Sequence, residues 1–221
     1  MEPCLCSTDN AAAVNALLRR NNHNDMKALS LWQRFAQWYK RLRHSKGFGV
    51  HSPYAFMLVG KLLNCPYRYY AYDDIEGYLL NQPDSRRLRH DARLLIRIVG
   101  RMGFSRFGTV GKVHQVLHKA VEIADSRVKH CVLTEPVLAE MECERLLVYV
   151  CAPADDVAWL KRCAVGQGCC ILFRGLKDAA IRCDYEATVA ACSHGVVFED
   201  TDMALIVVND RVPRVKYTTI I

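Results

Sequence analysis

The second half of the chain alternates short runs of β-forming residues with runs of helical periodicity, and this alternation limits the fold more than any other feature. Strand, helix and strand in succession predict a mostly parallel sheet with helices on both faces. The last three strand-like runs have no helix between them, so we expect an antiparallel hairpin to close one edge of the sheet. The predicted strands cover residues 105–107, 129–133, 146–151, 169–173, 195–199, 204–208 and 215–221, and the predicted helices cover about 112–125, 155–162 and 177–191.

The first hundred residues lack this alternation and are predicted to be helical. Residues 28–44 and 87–102 place apolar side chains at helical spacing. Ser52 followed by Pro53 is typical of the first turn of a further helix. The regular pattern begins at Met26. Residues 1–25 are therefore either a separate appendage or an extension that precedes the natural start of the protein at Met26. The chain is therefore divided into a flexible extension (1–25), a basic helical N-terminal region (26–102) and a Rossmann-like α/β domain (103–221).

Composition and charge limit the class of protein. Of 221 residues, 51% are hydrophobic and 24% are charged, the balance of a globular chain. The formal net charge of +7 comes from residues 1–110, which hold 17 Lys and Arg against 8 Asp and Glu, and such an excess is typical of polyanion binding. No apolar run reaches the roughly 18 residues that a membrane span needs, and the N-terminus has no signal-peptide pattern. We therefore expect a cytoplasmic protein whose 11 cysteines stay reduced. They form no Cys-x-x-Cys pair, which argues against a zinc site.

The first strand–helix turn of the predicted sheet carries a candidate ligand site. Gly108, Thr109 and Gly111 allow a tight turn that leaves amides free at a helix N-terminus. Glu135 follows the next strand, where a carboxylate can accept hydrogen bonds from both ribose hydroxyls of a nucleoside cofactor. Ordinary turn chemistry and a solvated glutamate explain the same residues, so both interpretations stay open.

Two motifs connect the chain to a known family. KGFGVHSPYAF, at residues 46–56, resembles the GxGVHSPFxF signature of bacterial class I S-adenosylmethionine-dependent methyltransferase-like proteins, and YYAYDDIE, at residues 69–76, matches the aromatic stretch that follows it. The resemblance extends over about residues 26–221 and favours Met26 as the family-like start. It implies a methyltransferase-type Rossmann-like fold, with S-adenosylmethionine as the cofactor. Its cofactor-binding residues would be Gly108, Thr109, Gly111 and Glu135.

The motifs that carry chemistry in that family are altered here. Arg106 stands where the first motif has an acid, Cys151 replaces the aspartate after the fourth strand of the family, and Arg174 replaces an acid after the fifth. In related O-methyltransferases the carboxylates after those two strands hold a divalent metal. The segment between Glu135 and Leu146 is also too short for the usual third strand. The resemblance therefore implies a degenerate methyltransferase-like protein with no metal site and no catalytic residue, and His114 and Asp155 remain as bases without an identified partner.

Three functions remain open at this point. The first is a methyltransferase of weak or altered activity. The second, which we favour, is a non-catalytic scaffold or a small-anion binder with Arg106, Arg174 and Lys177 in a cationic pocket. For these three side chains we favour the alternative that they are exposed and merely balance nearby acids. The third and least favoured function is binding of nucleic acid or of an anionic membrane surface by a basic aromatic cluster, for which a solvated basic face is the favoured interpretation. This cluster is formed by Trp38, Tyr39, Lys40, Arg41, Arg43, His44 and Lys46. The partner would be a small molecule or none, and the sequence does not indicate a substrate or an oligomeric state.

Overall fold

The computed structural model of the protein describes residues 35–36, 38–39, 41–43, 46–47, 49–80, 82, 85–132, 145–155, 157–166 and 168–221. The chain divides into two units, Met1–Tyr39 and Lys40–Ile221. In the first unit the four described residues are helical, and the ring centroids of Phe35 and Trp38 lie 5.7 Å apart. In the second unit residues 41–43 are helical as well, so every described residue of the helix predicted over 28–44 is helical. The predicted extension over 1–25 lies outside the described residues, and the predicted boundaries after 25 and 102 stay predictions.

Among the residues that the structure describes, seven strands of the second unit form one mixed sheet in the order β2-β1-β3-β4-β6-β5-β7. The central strands are short runs of branched and aromatic residues, and every residue of β3 and β6 is buried, as expected for strands covered on both faces. The strands are β1 (Arg106–Val110), β2 (Lys129–Val132), β3 (Leu146–Val150), β4 (Cys170–Arg174), β5 (Val196–Glu199), β6 (Met203–Val207) and β7 (Val215–Thr218).

The pairing confirms the mostly parallel sheet and corrects its edge. Strands β1 to β4 pair in parallel, and β5 and β6 form the expected antiparallel hairpin. The hairpin does not close the sheet, however, because β6 lies between β4 and β5, and β7 pairs in parallel with β5 as the edge strand. The difference follows from burial: the wholly apolar β6 needs neighbours on both sides, whereas β7, with exposed Lys216, tolerates an edge position.

Helices cover both faces of the sheet. In β3, Leu147 and Tyr149 pack in the core formed with the described helices of residues 53–124, while Leu146, Val148 and Val150 pack in the core formed with the helices of residues 157–191. This period-two alternation produces the three layers. The helices are α1 (Pro53–Leu58), α2 (Ala71–Leu79), α3 (Ser85–Met102) and α4 (Gln115–Ala124) on the first face, and α5 (Val157–Val165) and α6 (Ala179–Ala191) on the second.

Helix α1 begins as its sequence predicts and ends unusually. The Ser52 side chain accepts a hydrogen bond from the amide of Ala55 at 3.3 Å, and Pro53 occupies the first turn. The helix then continues as a π-helical turn over Val59–Leu63, which the amide of Asn64 closes by donating to the Val59 carbonyl at 2.8 Å. The five-residue spacing of that bond places one more residue in the turn than an α-helix would hold.

Candidate functional site

The chain order of the strands reverses between β1 and β3. From β1 the chain crosses through α4 to β2 on one side, and β3 lies on the other side. Ligands of open α/β sheets bind at the carboxyl ends of the strands beside such a switch point. The candidate site is therefore the region where the turn after β1 meets the segment after β3.

The turn after β1 lies three residues later than the sequence predicted, because β1 continues to Val110. Gly108 and Thr109 are thus inside the strand: Gly108 pairs with Cys131 and Val148, and the register places Thr109 beside β2 and β3 as well. Of the four predicted cofactor-binding residues, only Gly111 lies in the turn. Glu135 lies outside the described residues.

Gly111 is explained by a close approach of two chain segments. Its φ of 91° lies in the left-handed region, which disfavours side chains. A Cβ at this position would lie 2.5 Å from the Cβ of Ala152, 3.1 Å from its amide nitrogen and 3.2 Å from the Cys151 sulfur. The glycine therefore allows the turn after β1 to pack directly on the segment after β3.

Arg106 lies at the opposite edge of the sheet from this site, which corrects the predicted cationic pocket. It is the first residue of β1, whereas Arg174 is the last residue of β4, and the two strands run in the same direction. The misplacement arose because β1 was expected to end at residue 107. With the strand ending at Val110, the position two residues before the turn glycine is Thr109, so the acid of the family motif is absent in this register too.

Cys151 joins the ends of β1 and β3. Its thiol donates to the Val110 carbonyl at 3.4 Å and lies 3.8 Å from the Lys112 carbonyl, while its amide donates to Val110 at 3.0 Å. Burial raises the pKa of the Cys151 thiol. A thiol with a raised pKa is a poor nucleophile at neutral pH, and a sulfur ligand does not suit Mg²⁺ or Ca²⁺.

Arg174 is neutralised inside the protein. Its Nε lies 3.3 Å from Oδ2 of Asp91, and one terminal nitrogen lies 3.6 Å from Oδ2 of Asp202. Only 13% of the Arg174 side chain and 2% of the Asp91 side chain are exposed, so the pair is shielded from water. Arg174 thus balances nearby acids as expected, but the expectation that its side chain is exposed was wrong. An arginine that faces two carboxylates is also poorly suited to hold an anion.

Tyr149 completes this buried network. Its hydroxyl donates to Oδ2 of Asp91 at 2.9 Å, and burial, together with the charge of Asp91, raises the pKa of Tyr149. Sequence reasoning missed Asp91, although a signal exists: it is the one acidic residue of the strongly basic helix α3. An isolated acid in such a helix is a candidate partner for a buried cation.

His114 and Asp155, the two candidate bases, lie in different parts of the structure. His114 caps α4: its Nδ1 accepts from the Val116 amide at 3.2 Å, so its Nε2 carries the proton and donates to Oε1 of Gln82 at 3.0 Å. These bonds explain the histidine as a helix cap. Asp155 is exposed on the segment after β3, and Lys177 is exposed after β4.

Three arginines of α3, in the helical N-terminal region, contact α2. Glu76 of α2 binds Arg89 at 2.9 Å and Arg93 at 2.8 Å, and Arg97 donates to the Tyr72 hydroxyl at 3.2 Å. These contacts hold α3 against α2. Positive charge paired in this way contributes little to a polyanion surface. In the basic aromatic cluster, Lys40 and His44 lie outside the described residues.

No protein-family model matches the chain, and no curated protein matches it either. Within the part of the chain that the structure describes, no three His, Cys, Asp or Glu side chains come together as a metal cluster. No helix among the described residues is both long enough and apolar enough to cross a membrane. A cavity of about 460 Å³ is lined by Lys46, Gly47, Phe56, Val59, Gly60 and Asn64, none of which lies at the switch point.

Proposed function

We propose that the protein is a methyltransferase-like α/β protein that has lost metal-assisted methyl transfer and acts as a non-catalytic scaffold. One observation carries the proposal: the ends of β1 and β3 are packed directly together at Gly111, Cys151 and Ala152. This is where an α/β sheet of this kind offers space to a ligand.

The residues of the family signature have structural roles in this protein. Gly47 has a φ of 82°, and a Cβ there would lie 2.5 Å from the ring of Phe56, so this glycine and this aromatic residue of the signature are in contact. Ser52 and Pro53 of the same motif begin α1. The signature therefore preserves a turn and a helix start, neither of which requires catalytic chemistry.

The described residues do not fit the cofactor that the resemblance implies. Gly108 and Thr109 pair with strands on both sides, so their backbone groups belong to the sheet. The space above Gly111 holds Ala152 and the Cys151 sulfur. Glu135 is the one remaining candidate, and a single ribose-binding carboxylate does not define a nucleoside site.

The two altered positions, Cys151 and Arg174, lack the carboxylate ligands that metal-assisted methyl transfer needs. Magnesium and calcium take oxygen ligands, mostly carboxylates and carbonyls. The chain offers at these positions a protonated thiol in Cys151 and a guanidinium in Arg174, and the guanidinium already faces Asp91 and Asp202.

Calorimetric titration of the full chain with S-adenosylmethionine and with S-adenosylhomocysteine tests the proposal. We expect no saturable binding below about 1 mM, which corresponds to about −4 kcal/mol. A methyl-transfer assay with labelled cofactor should give no product above a buffer control.

Two variants make that titration decisive. Micromolar binding that disappears in both Glu135→Ala and Gly111→Ala would overturn the proposal. Gly100→Ala is the matched control, because Gly100 lies in α3 and a Cβ added there would have nothing within 4 Å. Binding that persists in all three variants would locate the ligand away from the predicted residues, and the scaffold interpretation would fail in that case too.

A further inference from the structure

Two histidines outside the switch point face each other between α4 and β2. His118 lies on the helix and His130 on the strand, and their Nδ1 atoms are 3.0 Å apart. The ring centroids are 5.1 Å apart. Among the strands that the structure describes, β2 lies at one edge of the sheet. His130 is exposed and His118 is half-buried, so the pair is open to solvent.

One buried aromatic residue positions both rings. Phe107 of β1 is fully buried, and its ring meets His118 edge-on at 5.6 Å and 75° and His130 at 5.6 Å and 89°. The sheet register also pairs Phe107 with His130. Rings held by a helix, a strand and a core side chain lose little freedom when they bind a ligand, which favours binding.

Two nitrogens at this distance share one proton when both rings are neutral. One Nδ1 donates and the other accepts, and the second ring nitrogen of each histidine is left for water. Burial and the neighbouring His130 lower the pKa of His118, which keeps a neutral imidazole available at neutral pH. Nearby charges on α4 balance one another, because Lys119 binds Glu122 at 3.0 Å.

The same distance suits a chelated metal ion. Imidazole nitrogens lie about 2.0–2.1 Å from zinc, so nitrogens 3.0 Å apart subtend an angle of about 95° at the ion. That is the angle between two adjacent ligands of a five- or six-coordinate ion. Small rotations of the two rings would turn the Nδ1 lone pairs from each other towards a shared ion.

We propose that His118 and His130 form a two-histidine site that binds one first-row transition-metal ion, such as Zn²⁺, Ni²⁺ or Cu²⁺. Imidazole favours these ions, whereas Mg²⁺ and Ca²⁺ take oxygen ligands. The ion replaces the shared proton, which moves through water from one Nδ1 to the Nε2 of the same ring, so the neutral pair releases no net proton. Water completes the coordination and leaves exchangeable positions.

Metal binding at this place would fasten an edge strand to the helix that covers it. An ion that binds the folded chain and not the unfolded one raises stability by mass action, about 2.7 kcal/mol at a hundredfold excess over Kd. Because the reduced cysteines of the unfolded chain also bind Zn²⁺, the second readout is the difference in thermal shift on addition of Zn²⁺ between the unaltered chain and His118→Ala.

The experiment uses the full chain with its thiols kept reduced by a non-thiol reductant. Zn²⁺ is titrated calorimetrically, and Ni²⁺ is titrated while the imidazole NMR signals are followed. We expect the signals of His118 and His130 to broaden first. His118→Ala and His130→Gln should each abolish one equivalent of binding or weaken it by about tenfold or more, because a chelate has become a single ligand. Mg²⁺ should give no effect.

His194→Ala serves as the control, because His194 is exposed and hydrogen-bonds to Ser193, away from the pair. It should bind Zn²⁺ like the unaltered chain and show the same thermal shift. Circular dichroism establishes that each variant is folded. Equal stoichiometry and affinity in the unaltered chain, His118→Ala and His130→Gln would overturn the proposal, as would broadening that begins at other histidines.

Discussion

The switch point and the α4–β2 edge both carry polar side chains, but these side chains differ in burial and in their partners. Near the switch point, Arg174 and Tyr149 both contact the buried carboxylate of Asp91. At the edge, His118 and His130 share a single contact and face solvent. Polar side chains whose partners are all internal stabilise the fold, whereas exposed pairs with spare lone pairs remain available to a ligand. Whether a polar side chain stabilises the fold or stays available to a ligand depends here on its burial and on its partners.

The largest effect should follow Asp91→Ala, which leaves Arg174 buried without its nearest carboxylate. Breaking a buried ion pair by removing one partner costs about 3–5 kcal/mol. Urea unfolding followed by circular dichroism measures the change. The double variant Asp91→Leu with Arg174→Met is the control, since it removes both charges and should recover most of the loss. A loss below about 1 kcal/mol in the single variant would show that the network does not stabilise the switch point.

Gly111→Ala should cost about 2–3 kcal/mol, because the new methyl group meets Ala152 and the residue keeps a left-handed φ. Gly100→Ala tests the same change at an open position of a helix and should stabilise the chain by up to about 1 kcal/mol. Thermal unfolding of the two variants side by side gives the contrast. Equal shifts would mean that the ends of β1 and β3 are not packed as tightly as the distances indicate.

The ion pairs of Glu199 can be tested through pH. Glu199 lies at the carboxyl end of β5, on the same edge of the sheet as Arg174. Partial burial opposes its ionisation, but contacts from Lys216, Tyr185 and Arg182 outweigh burial and lower the pKa of Glu199 below its ordinary 4.5. The folded state thus favours the ionised form. This contribution to stability is present above pH 4.5 and is lost as the pH falls through the lowered pKa.

Unfolding of the unaltered chain and of Glu199→Gln between pH 7 and pH 3 measures that loss. The glutamine variant should be less stable at pH 7, and the gap should narrow as the pH falls. A gap that stays constant over this interval would contradict the assigned role of Glu199.

The smallest effect should come from His118→Ala in the absence of metal. The exposed pair stabilises the fold little, so we expect a change within about 1 kcal/mol. Its effect should appear only with Zn²⁺ present, as loss of the thermal shift. A destabilisation as large as that of Asp91→Ala would erase the difference between the two regions.

The sequence predicted the layers of the fold because period-two and helical patterns are local. Strands β2 to β6 were placed close to their observed starts and ends, whereas β7 ends earlier than predicted and β1 continues further. Gly108 and Thr109 have the composition of a turn, yet β2 and β3 pair with them on both sides and keep them in the sheet. Long-range pairing thus overrode local preference, and Arg106 was misplaced as a result.

The candidate site depended on contacts that no local pattern encodes. Asp91 and Tyr149 are 58 positions apart in the chain. The position of β6 between β4 and β5 is also set by long-range pairing, which local sequence patterns do not specify. His118 and His130 lie on different element types, so their spacing matches no motif. The sequence showed that Cys151 differs from the motif that this segment resembles, but the bond from its thiol to the Val110 carbonyl required the structure.

The π-helical turn after α1 has a consequence for how chain length can vary in this protein. The turn holds one residue more than a regular helix would, and Gly60 within it has open space where a Cβ would lie. Val59, Leu62 and Leu63 are buried on either side of that glycine. Deleting Gly60 would convert this wide turn into an ordinary α-helical turn and leave the residues after it at nearly the same helical phase, because five residues of a π-helix and four of an α-helix turn through about the same angle. This turn is therefore a place where the chain can lose one residue between the signature and the aromatic stretch without turning Leu62 and Leu63 out of the core.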